Sequence, residues 1–98
     1  MTEPVILINA FEVPADGADS FIAAWLKTRD YLRSQPGYLE AVLHQALSPD
    51  AEFQFLNVAR WQTADDFVTA MQSPGFQEAA ARLADSRSHP ALYRIVPT

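Results

Sequence analysis

At 98 residues the chain has the length of one small domain, expected to span 1–98, and its 49% apolar content is that of a globular protein. A net charge of −5, with seven Lys and Arg scattered from Lys27 to Arg94, makes no basic patch and argues against nucleic acid as a partner. The lack of cysteine excludes disulfides, thiol nucleophiles and thiolate metal sites. No apolar run approaches the roughly 20 residues of a membrane span, and the N-terminus has no charged leader with an apolar core, so a soluble cytoplasmic protein is expected.

Val5 to Val13 is rich in β-branched and aromatic residues and predicts a first strand, with Val5, Leu7, Asn9 and Phe11 on one face. Pro14-Ala15-Asp16-Gly17 is a turn signal, after which Asp16 or Asp19 caps a helix running to about Ser34. Its apolar stripe is Phe21, Trp25, Thr28 and Leu32, with Ile22 and Ala24 beside it and Arg29, Asp30 and Arg33 toward water. Trp25 reads as core. Gln35-Pro36-Gly37 ends the helix, and Tyr38 to Leu47 predicts a second strand, with Tyr38, Glu40, Val42 and His44 on one face.

The third strand is expected over Phe53 to Trp61, joined to the second by the tight polar stretch Ser48 to Glu52. Alternation puts Phe53, Phe55, Asn57, Ala59 and Trp61 on one face and Gln54, Leu56, Val58 and Arg60 on the other. An amide and an indole thus share a mostly apolar face, roughly 13 Å apart along the strand, a spacing that suits the two ends of one small-molecule pocket. Thr63 then caps a helix with Asp65 and Asp66 in its first turn and Phe67, Ala70 and Met71 inside. Ser73-Pro74-Gly75 breaks it, and an alanine-rich helix resumes from Phe76 to about Ala84. Residues 85–90 read as a loop that leaves His89 on the surface, and Ala91 to Val96 as a last strand.

The order β-α-β-β-α-β is the α+β ferredoxin-like pattern, one four-stranded antiparallel sheet with helices on one face. Alternation does not say which face the helices cover. Whichever set is left over is too apolar to stay wet, so a homodimer joined through the sheet is expected.

Phe55-Leu56-Asn57-Val58-Ala59-Arg60-Trp61, Asp65-Asp66-Phe67, Ser73-Pro74-Gly75-Phe76 and the opening Ile6 to Phe11 together resemble the antibiotic biosynthesis monooxygenase family of dimeric α/β barrels. The match covers nearly the whole chain. The family's anthrone-type oxygenases are the nearest functional template, and the resemblance implies oxidation of a phenolic or polycyclic aromatic by O2 to a quinone without flavin, haem or metal. It implies two asparagines and a tryptophan at the site, which match Asn9, Asn57 and Trp61. A tyrosine of some members falls at Phe67, and an arginine of the later helix falls near Ala81, beside Arg82. The haem-degrading branch fits worse, because its axial histidine would fall near Ala80 and its helix tryptophan near Ala70.

On this reading the amides of Asn57 and Asn9 stabilise the oxyanion of a deprotonated phenol or enol, and such an electron-rich substrate reduces O2 itself. Trp61 stacks on the substrate and donates its indole N–H. Phe11, Phe55, Phe67 and Met71 shape the cavity. His44 and His89 are too few and too far apart in sequence for a metal site; His44, the one strand histidine, reads either as a general base or, more simply, as an edge or dimer-interface residue. Two rival readings use the same fold: a non-catalytic domain that binds a small hydrophobic ligand or serves in a stress response, and a cofactor-free cyclase or isomerase.

Overall fold

The runs rich in β-branched and aromatic residues form the strands β1 (Val5–Glu12), β2 (Tyr38–Gln45), β3 (Phe55–Trp61) and β4 (Arg87–Tyr93). Between them lie helices α1 (Ala18–Leu32), α2 (Ala64–Gln72) and α3 (Pro74–Ala80). A computed structural model describes residues 3–83 and 86–98. The strands make one antiparallel sheet in the order β2-β3-β1-β4, the ferredoxin-like α+β arrangement.

The face left open by alternation is now fixed. Leu7, Phe11, Phe55, Ala59 and Trp61 are buried together with Phe21, Ala24 and Trp25 of α1 and Ala70 of α2, so the odd-numbered side of β1 and β3 is the one beneath the helices. Phe21 anchors one end of the core, stacked on Phe55 at 4.6 Å and edge-on to Phe11 at 4.8 Å. Trp61 anchors the other, edge-on to Tyr38 at 5.5 Å and to Phe67 at 5.8 Å. Full burial of each such ring stabilises the fold by about 1.5–3 kcal/mol.

The opposite face carries no helix. Register places Val42, Val58, Ile8 and Ala91 in one row across it, and His44, Leu56, Ala10 and His89 in the next. Val42 remains 49% exposed and Tyr93 50%.

Several local expectations change. Tyr38 pairs with Trp61, but Glu40 pairs with Arg60, so a bulge at Leu39 turns Tyr38 away from the Glu40 face and onto the core. Burial there lifts the Tyr38 phenol above its ordinary pKa, against the opposing pull of Arg29 and Arg33. Neither Asp16 nor Asp19 caps α1. Ala15–Gly17 forms a 3-10 turn closed by the Gly17 N–H donating to Pro14, and Gly17 is the cap without any side-chain bond. Arg29 does not simply face water, since its guanidinium lies over the Trp25 ring at 5.5 Å with Nε buried and unpaired. The ring's negative face is what compensates it.

β3 starts at Phe55, not Phe53, because the Gln54 amide turns into the connection and donates to the carbonyls of Ser48, Pro49 and Ala51. Phe53 leaves the Phe55 face and lies edge-on to His89. β2 ends at Gln45, before Leu47. The largest correction is β4. It begins at Arg87 and ends at Tyr93, so His89 and Pro90 lie within a strand, not in a loop. β4 is an edge strand, the one place where a proline is tolerated in a sheet. The end of the alanine-rich helix expected at Ala84, and the loop start at Asp85, lie outside the described residues.

The Thr63 cap matches expectation, whereas Ser73, read only as part of a break, is itself a cap, and α3 starts at Pro74 rather than Phe76. Thr63 Oγ1 accepts from the Asp66 N–H at 3.0 Å. Ser73 closes α2 and opens α3: its hydroxyl donates to the Ala70 carbonyl at 2.7 Å and accepts from the Phe76 N–H at 3.3 Å, with Pro74 at the first turn. The Tyr31 hydroxyl meets the same Ser73 oxygen at 2.8 Å. A Cβ on Gly75 would overlap the Tyr31 ring, so only glycine lets α3 approach α1 here. Gly75→Ala is expected to destabilise the protein by about 1–3 kcal/mol, read as a lower urea midpoint at unchanged slope.

Candidate active site

A cavity of about 680 Å³ lies between the sheet and the helices. Its sheet side is Leu7, Asn9 and Phe11 of β1, Asn57 of β3 and Ser88, Pro90, Ala91 and Leu92 of β4. Trp25, Thr28 and Leu32 line it from α1, Phe67 and Met71 from α2, and Phe76 and Ala80 from α3. Among the described lining residues no side chain is ionisable.

Asn9 and Asn57 are direct partners across β1 and β3, with Leu43 and Pro90 completing their row. Opposed residues have Cβ atoms roughly 5 Å apart, so the two amides sit side by side on the cavity floor. Their hydrogen bonding differs. Asn9 Oδ1 accepts the His89 backbone N–H at 3.0 Å. That bond holds β4 and fixes the Asn9 amide with its NH₂ group as the free end. Asn57 Oδ1 is buried and has no partner.

Of the residues expected at the site, Asn9, Asn57, Phe11, Phe67 and Met71 all line this cavity. Trp61 and Phe55 do not. Each is 1% exposed. Trp61 is packed among Leu7, Ala59, Ala70, Tyr38 and Phe67, so Asn57 and Trp61 are not two ends of one pocket. Phe67, which meets the indole edge-on at 5.8 Å, does line the cavity. Phe55 is spent on Phe21 and borders shallower grooves outside the cavity.

Trp25 and Thr28 are wall residues that the helical stripe showed only as core. Thr28 is buried and its hydroxyl donates to the Ala24 carbonyl at 3.0 Å, which leaves its methyl for the cavity. Both histidines lie elsewhere. His44 Nδ1 is 3.3 Å from the Leu56 carbonyl oxygen, and His89 Nε2 is 2.7 Å from Glu12 Oε2; both residues sit on the helix-free side of the sheet. Among the described residues no cluster of His, Asp and Glu could hold a metal ion.

Fold and site together define a ferredoxin-like domain that holds a half-open, mainly apolar pocket with two adjacent neutral amides. The model of the antibiotic biosynthesis monooxygenase family matches residues 4–82, and this chain belongs to that family. A candidate monooxygenase of Shewanella loihica is 41% identical, with a TM-score of 0.83 over 100% of this chain and 99% of the other. SnoaB, a cofactor-independent oxygenase of Streptomyces nogalater, is 28% identical, with a TM-score of 0.84 over 98% and 96%. A family member from Nitrosomonas europaea, 17% identical with a TM-score of 0.79 over 95% and 90%, shares the fold. No curated protein matches the chain.

Proposed function

We propose that this chain is a cofactor-independent monooxygenase of the cytoplasm that oxidises a phenolic polycyclic aromatic to a quinone with O2, working as a homodimer joined through its helix-free face. The observation that carries the reading is the buried, unpaired amide of Asn57 beside Asn9 on the floor of an apolar cavity. Such an atom costs about 1–3 kcal/mol in the empty protein, and a substrate hydroxyl that donates to it is the partner that removes the cost. The likeness to SnoaB supports the choice of reaction. The absence of any transmembrane-length apolar helix among the described residues fits a soluble protein.

The chemistry follows from a floor of neutral donors. A phenol or enol O–H donates to the Asn57 carbonyl on binding, and the amide N–H groups of Asn57 and Asn9 stabilise the oxyanion once the proton leaves to solvent. In a low-dielectric chamber these bonds are strong, which shifts the substrate toward its anion. The anion passes one electron to O2, giving a substrate radical and superoxide. The two combine to form a C–O bond, and a proton completes the hydroperoxide. Loss of the remaining ring C–H proton breaks the O–O bond, and hydroxide leaves as water, so one CH₂ and one O2 become one C=O and one H2O.

Phe11, Phe67 and Met71 position the rings. Trp61 acts as a positioning residue through Phe67, which it meets edge-on. The test is oxygen uptake by metal-free protein with an anthrone substrate, matched one-to-one by quinone absorbance. Trp61→Phe is expected to keep turnover within about tenfold, because the indole does not reach the cavity, and to lower stability by about 1 kcal/mol. Saturable binding without uptake would instead make this a ligand-binding domain, and conversion without oxygen consumption would make it a cyclase or isomerase.

A further inference from the structure

The walls of the cavity carry no charge on any described lining residue, while two arginines stand just outside them. Arg29 lies behind Trp25, whose ring lines the cavity on one side and takes the guanidinium over it at 5.5 Å. Arg82 lies behind Leu83: it borders a separate groove with Asp16 and Ser20, and Leu83 and Ser86 are shared by that groove and the cavity. Neither cation is among the cavity's lining residues. Ala84 and Asp85, which follow Leu83 in sequence, bring no positive charge. The polar groups that do reach the interior are amides and hydroxyls, able to hold a neutral or transiently anionic oxygen but not to neutralise a permanent carboxylate. A buried carboxylate without a cation costs several kcal/mol even after relaxation.

We propose that the cavity selects an uncharged polycyclic phenol or ketone and rejects the same ring system when it carries a carboxylate. This rests on the reading of the cavity as the substrate site. A consequence is that the preceding reaction leaves no free carboxyl on the ring system, having removed it by decarboxylation or masked it as an ester.

Two stable quinones that differ only in this group test the proposal on the wild-type protein: rhein, a dihydroxyanthraquinone bearing one carboxylate, and its methyl ester. Quenching of Trp25 fluorescence reports binding, since that ring lines the cavity. The ester is larger than the acid, so a preference for it reflects charge and not size. At neutral pH the ester is expected to bind about 100-fold more tightly or better, several kcal/mol at 1.4 kcal/mol per tenfold. Equal affinities within about tenfold, or no binding of either compound, would overturn the inference. The oxygenase reading is scored separately with the reduced anthrone of the ester. If the ester binds and the anthrone consumes no oxygen, charge selection stands and the oxygenase reading fails.

Discussion

Asn57→Leu is expected to lower turnover by about 10²–10³-fold while leaving the protein as stable as the parent, or more so. The two effects come from one side chain. Asn57 Oδ1 is buried without a hydrogen bond, so an apolar side chain of similar size removes an unpaired polar group and breaks no bond within the protein. A structural asparagine would behave oppositely, with stability lost and activity following it down. Asn9 supplies that contrast within the same site. Its Oδ1 holds the His89 N–H, so Asn9→Leu is expected to lose activity and stability together. Urea melts alongside initial rates of oxygen uptake decide the matter, and a marked loss of stability in Asn57→Leu would refute the role assigned to its amide.

Val58→Asp is expected to convert the proposed dimer to a folded monomer, raising the dissociation constant by about a thousandfold or more. Val58 lies in the apolar row of Val42, Val58, Ile8 and Ala91 on the face without helices. Two such faces packed about a twofold axis would bury the new carboxylates with no cation for them in that row, at several kcal/mol each. Within one protomer the position is only partly buried, so the helical core beneath the other face is untouched. Sedimentation would show half the mass with unchanged far-UV circular dichroism. A monomeric wild-type protein would remove the dimer from the proposal.

The fold was legible because alternation and punctuation are local. Leu7, Phe11 and Phe55 announce a strand face, Thr63 announces a helix start, and Ser73-Pro74-Gly75 announces a break, from a few neighbours each. What escaped depends on contacts between distant residues. His89-Pro90 has the composition of a loop, and it becomes a strand because Asn9, far away in the chain, accepts the His89 N–H. Trp25, Thr28 and Leu32 have the same helical spacing whether they press on the sheet or face a void, so the stripe could not reveal a wall. The converse error fell on Trp61. Its place on the Asn57 face was read correctly, but the bulge that brings Tyr38 onto its ring is a property of another strand's register. Asn9 and Asn57 were legible as amides on one kind of face, and their pairing in one row needed the sheet.

The way α3 is fastened determines how a ligand gets in. Its first turn is clamped to α1 by the Tyr31–Ser73 hydrogen bond and by the close seat of Gly75 beneath the Tyr31 ring. A roof bolted at that corner does not hinge open there. The seam beside β4 is different: the strand is exposed along its whole length and pairs only with β1. Segments with few buried contacts open first, so a ligand entering the cavity is expected to displace this outer strand rather than the clamped corner of α3.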